Sequence, residues 1–86
     1  MKHNHYFKNT VHLNAVDVYR VLELFEVTDP CLQHAIKKLL CAGSRGAKDM
    51  EQDVQESIDA LERWQDMKEE DELKRYAGTY KVNKWH

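Results

Sequence analysis

The chain has 86 residues, a formal net charge of −2 and 42% hydrophobic residues. That is enough for one small domain with a modest core. No apolar run approaches the ~20 residues of a membrane span, and no signal-peptide core follows Met1, so a cytoplasmic protein without membrane contact is expected.

Residues 1–13, MKHNHYFKNTVHL, show no helical period and read as an extended arm. The helical domain is expected over 14–73. Asn14 offers a cap for a first helix, with Asp17 in its first turn. In that helix Ala15, Val18, Val21, Leu22 and Phe25 share one face, while Val16 and Leu24 fall outside it. A second helix starts at Thr28 or Asp29, where Pro30 suits the first turn. Its apolar face is Leu32, Ala35, Ile36, Leu39, Leu40 and Ala42; His34, Lys37, Lys38 and Cys41 lie opposite.

Gly43 fits the left-handed position that ends a helix, and Ser44, Arg45 and Gly46 complete a short connection. Asp49 is then expected to cap a long third helix, with Gln52 as its capping-box partner, running to about Glu72. Met50, Val54, Ser57, Ile58, Leu61 and Trp64 recur at helical period and predict the stripe buried against the first two helices. A short connection makes neighbouring helices antiparallel, so the expected fold is a small all-α, three-helix domain built on a helical hairpin. After Gly78, Thr79 to Trp85 is rich in β-formers and reads as a strand or ordered tail within a C-terminal segment 74–86.

The small net charge conceals an uneven distribution. Residues 1–48 carry seven Lys/Arg and four Asp/Glu, residues 49–73 carry two and eleven, and residues 74–86 carry four and none. The middle segment, at −9, repels nucleic acid, so no nucleic-acid binding is expected through it. Its outward residues Asp59, Glu62 and Asp66, with Tyr80 and Trp85 of the tail, are the candidate contacts for a protein partner with a basic surface. The apolar residues outside the main stripes, Val16, Leu24 and Met67, point to a homodimer.

Other chemistry is thinly represented. Cys31 and Cys41 lie roughly 15 Å apart along one helix, too far for a disulfide, and suit a reducing compartment. Cys41 shares a face with Lys37, Lys38 and His34, cations that favour a thiolate, yet no base with an orienting partner accompanies it. His3 with His5, and Cys31 with His34, have plausible spacings for metal, but no paired CxxC or HExxH occurs. No catalytic residue, metal or cofactor is therefore expected. Lys37, Lys38, Arg45 and Lys48 gather around the turn, beside the N-terminus of the third helix, and form a candidate anion- or nucleotide-binding site. No standard phosphate-binding loop is present.

The stretch His5-Tyr6, then Val18 to Phe25, then HAIKKLLCAGSRG and DVQESIDALER, resembles a small phage and prophage family of unknown function. One coliphage member of that family is described as a nucleoside-monophosphate kinase without the usual phosphate-binding loop. The resemblance covers roughly Tyr6 to Arg63 and implies a bacterial host cell. Ala35, Ile36, Gly43, Gly46, Val54, Ile58 and Leu61 match the scaffold positions, and Lys37, Asp53 and Arg63 match as well. Lys38 stands where the family has tyrosine, Cys41 where it has arginine, Gln55 and Glu56 where it has lysine, and Asp59-Ala60 where it has an aromatic pair. The arginine is the group whose fork would grip a phosphate. The expected function is accordingly a non-catalytic phage or prophage accessory protein acting by protein–protein interaction, such as an inhibitor of a host enzyme or defence complex. The alternative is a nucleotide-binding protein or divergent nucleoside-monophosphate kinase using Lys37–Lys48.

Overall fold

The computed structural model describes residues 4–80, with side chains described over 5–75. A 3-10 turn at Asn4–Tyr6 precedes three α-helices: α1 (Val18–Leu24), α2 (Pro30–Leu40) and α3 (Ala47–Tyr80). The fold is all-α. Its organising unit is the antiparallel pair α2–α3; α1 packs against α2 and does not reach α3.

Each helix end has a local cause. The first helix begins at Val18, later than Asn14 suggests, because Asp17 is the residue that caps it: its Oδ1 accepts from the Arg20 amide at 2.9 Å. The carboxylate there also complements the positive helix end. At the other end Glu26 takes a left-handed φ of 56°. Its amide donates to the Glu23 carbonyl, and the Val27 amide donates to the Leu22 carbonyl at 2.9 Å. This is a Schellman closure with a non-glycine residue in the strained position. Asp29 caps α2 as expected, accepting from the Leu32 amide at 3.0 Å. Gln33 Nε2 donates to the Val27 carbonyl at 2.8 Å and ties the α1–α2 connection to α2.

Gly43 has φ +75°, the left-handed value its position predicted. Helix α3 starts at Ala47, two residues before Asp49, since Gly46 turns the chain at φ +138° and its carbonyl accepts from the Met50 amide. Asp49 lies in the first turn rather than at the cap. The helix also continues past Gly78 to Tyr80. One interior glycine costs about 1 kcal/mol and does not by itself stop a helix. Thr79 and Tyr80 are thus helical, and the rest of the expected strand, with Trp85, lies outside the described residues.

The main correction concerns the core. Closest approach between α2 and α3 falls at Ala35 and Ser57, each 2% exposed. The Ser57 hydroxyl is shared between the Asp53 carbonyl at 2.9 Å and the Ala35 carbonyl at 3.3 Å. Two small residues let the backbones meet, so the larger apolar side chains stand beside the contact rather than in it. Leu39, Leu40, Met50, Val54, Ile58 and Leu61 remain between 39% and 55% exposed, and Phe25 is exposed too. The expected burial of the Met50–Leu61 stripe within this chain does not occur. Leu22 and Ala35 are the buried apolar residues among those described. Trp64 and Met67 are half-buried, and from Lys68 to Arg75 every side chain is exposed.

Candidate functional site

The turn between α2 and α3 gathers the expected cations, but it gathers carboxylates with them. Antiparallel packing brings the last turn of α2 against the first turns of α3. Lys38 Nζ lies 2.6 Å from Glu56 Oε1 and 3.8 Å from Asp53 Oδ1. Arg45 lies 3.4 Å from Asp49 and 3.9 Å from Asp53. Asp53 is buried at the centre, and its Oδ2 also accepts from the Gly43 amide at 3.4 Å. Lys37 sits over the Tyr19 ring at 5.5 Å, a cation–π contact between α1 and α2. Lys48 is exposed.

The titration of this cluster follows from its geometry. Hydrogen bonding to Glu56 holds the Lys38 ammonium above its ordinary 10.5, helped by the nearby Asp53 charge. Hydrogen bonds from Lys38 and Gln52 hold the Glu56 carboxyl below its ordinary 4.5. Both groups are charged at neutral pH, and each supplies the other's counter-ion.

A recess of about 160 Å³ lies here, lined by Lys37, Lys38, Cys41, Ser44, Arg45 and Asp53. The structure therefore unites three of the four basic candidates, Lys48 standing outside the lining. Small-molecule pockets run from about 300 Å³ upward, and an anion entering this one meets the Asp53 carboxylate. Of the polar groups here, Asp53 and Glu56 were missed as site residues in the sequence. The available signal was Asp53 four residues before Ser57, on the edge that faces α2.

The outer side of α3 is a different surface. Asp59, Glu62 and Asp66 are all exposed, and at about 100° per residue they lie roughly opposite Ser57, which faces α2. Asp59 accepts from Gln55 Nε2 at 2.9 Å, and Glu70 pairs with Arg63 at 2.7 Å. That pairing holds the Arg63 guanidinium above its usual range. The side chain of Tyr80 and all of Trp85 lie outside the described residues.

A second recess, of about 560 Å³, opens between α1 and α2. Its lining includes the apolar Leu22 and Val27, the exposed Tyr19 ring, and charges of both signs at Glu23, Glu26 and Lys37. Among the described residues no cluster of three or more His, Cys, Asp or Glu has the geometry of a metal site. No described helix is long and apolar enough to cross a membrane. Compared with models of protein families, with curated proteins and with solved structures, the chain matches none.

Proposed function

We propose that this protein is a non-catalytic accessory factor, of the phage or prophage kind its hairpin run resembles, which acts in a bacterial cytoplasm by binding another protein. The observation that carries the reading is the division of charge along α3. Its first turns spend Asp49, Asp53 and Glu56 on Lys38 and Arg45. Farther along, Asp59, Glu62 and Asp66 face solvent with no cation of α2 opposite them. The same pairing weighs against a nucleotide at the turn, because Lys38 and Arg45 already hold carboxylates.

A projecting acidic helix suits a partner with a basic surface, such as the nucleic-acid groove of a host enzyme or defence complex. Complementary charge speeds encounter, and the complex weakens as salt screens it. The test is the triple variant Asp59→Lys, Glu62→Lys, Asp66→Lys, compared with the parent for proteins captured from bacterial lysate at low salt. The parent retains a basic protein that elutes as salt rises, and the variant loses it while keeping its helical circular-dichroism spectrum. Equal retention by both would remove the acidic face from the reading. A thermal-shift screen against nucleoside monophosphates covers the alternative, and stabilisation lost on Lys38→Ala or Arg45→Ala would favour it.

A further inference from the structure

We infer that the apolar face of the α2–α3 hairpin is covered by a second copy of this chain, forming a two-fold bundle of four hairpin helices. This goes beyond the acidic-face reading and does not depend on it. The face has a simple construction. Relative to Ala35, the residues at +4, −3 and +1 are Leu39, Leu32 and Ile36. Relative to Ser57, the residues at the same offsets are Leu61, Val54 and Ile58. At about 100° per residue these stand about 40°, 60° and 100° round from the contact line on each helix. In an antiparallel pair, equal rotations lead to the same side. All six therefore lie on one side of the hairpin. Lys38 at +3, and Asp53 and Glu56 at −4 and −1, lie on the other, where their ion pairs are found.

Leu32 and Ile36 of this face are half-buried, while Leu39, Val54, Ile58 and Leu61 stay exposed. Helix α1 packs against α2 on the side of Gln33, His34 and Lys37, as the recess between them records. The result is an unusually open molecule. A compact monomer of 10.2 kDa exposes about 5,300 Å², whereas this chain exposes 7463 Å². A compact 86-residue chain has a radius of gyration of about 12 Å, and this one has 18.0 Å. The exposed segment before α1 and the exposed end of α3 contribute to this excess, and the hairpin face contributes with them. The excess of about 2,000 Å² leaves room on the hairpin face for the ~800 Å² per partner of a standard interface.

Three features favour a second copy over another occupant. A domain whose described buried apolar residues are Leu22 and Ala35 requires its cover in order to fold. An identical chain is present wherever the protein is made, and a single self-complementary patch closes with a two-fold axis. The charges also allow it: α3 is strongly acidic, whereas α2 carries no acid. A bundle that sets α3 of one protomer beside α2 of the other keeps the two acidic helices diagonally apart.

The test is sedimentation equilibrium of the full chain, combined with thermal melting at several concentrations. The expected mass is twice 10.2 kDa at micromolar concentration, with a melting temperature that rises as the protein is concentrated. Ile58→Asp, at the centre of the face, should abolish the dimer. Gln55→Asp, an exposed position outside the face that adds the same charge, should leave the mass unchanged and so controls for surface charge. A folded 10.2 kDa monomer at tens of micromolar, melting independently of concentration, overturns the proposal. So does a parent chain that is unfolded when alone, since its cover is then a different protein. Persistence of the dimer in Ile58→Asp overturns the assignment to this face.

Discussion

Replacing Gly43 by alanine gives a sharp test of the hairpin connection. Gly43 sits at φ +75°, where a side chain costs about 1–2 kcal/mol. An added Cβ would lie 2.5 Å from Met50 Cε and 3.1 Å from Met50 Cβ. The thioether end can swing away at little cost, but the Met50 Cβ is fixed to the first turn of α3 and must shift with it. The two contributions together come to about 2–3 kcal/mol. A chain of 86 residues holds a total stability of about 4–13 kcal/mol. The melting temperature should therefore fall by about 8 °C or more, at about 4–8 °C per kcal/mol. Gly43→Asn keeps the added Cβ but tolerates the left-handed backbone better, so it should lose less. Circular-dichroism melts of the two variants beside the parent decide the matter at one fixed protein concentration. If Gly43→Ala melts within about 2 °C of the parent, neither the left-handed turn nor the approach of Met50 is as described.

Two further perturbations follow from other parts of the molecule. Glu26→Gly removes a Cβ from a left-handed residue at φ 56° and should raise stability by about 0.5–1 kcal/mol, read as a higher urea midpoint. The Lys38–Glu56 pair sets a pH window: the Glu56 carboxyl is depressed below 4.5, so its contribution is present above that value and is lost as pH falls through the depressed one. The Lys38 ammonium is raised above 10.5, so its contribution is present below that value and is lost only at strongly alkaline pH. Urea midpoints should be level across the neutral range and fall in acid, and Glu56→Gln should lower the neutral midpoint and flatten that acid slope.

Much of the architecture was legible because it is written in local chemistry. Asp29 before Pro30 marks a helix start, Gly43 after an apolar run marks a helix end, and a short connection dictates an antiparallel pair. The misreadings arise where two similar signals compete or where tertiary contact decides. Asn14 and Asp17 both qualify as caps, and the carboxylate prevails. Gly78 resembles a stop, but the helix formers before it carry the helix through. The apolar stripe of α3 has the helical period and includes Ser57, but the contact with α2 runs along its edge rather than its centre. Periodicity marks where hydrophobic residues gather, but it does not say that the small members of each face, Ala35 and Ser57, carry the closest packing while the larger ones stand beside it. The basic turn was legible as a cluster of cations. Its neutralisation by Asp53 and Glu56 depends on the register of two helices, which no single-segment pattern contains.

In the proposed dimer, α3 has a near part, Met50 to Trp64, whose apolar side is covered by another copy and whose outer side carries Asp59 and Glu62, and a far part, from Lys68 on, whose described side chains are all exposed. Hydrogen–deuterium exchange along α3, with the full chain at a concentration that favours association, tests that division most directly. Amides from Met50 to Trp64 should be protected to the same degree as those of α2. Amides from Lys68 to Tyr80 should exchange orders of magnitude faster, because an unsupported helix of that length is marginal in water. Protection that is uniform from Ala47 to Tyr80, or absent around Val54 to Leu61, would contradict it.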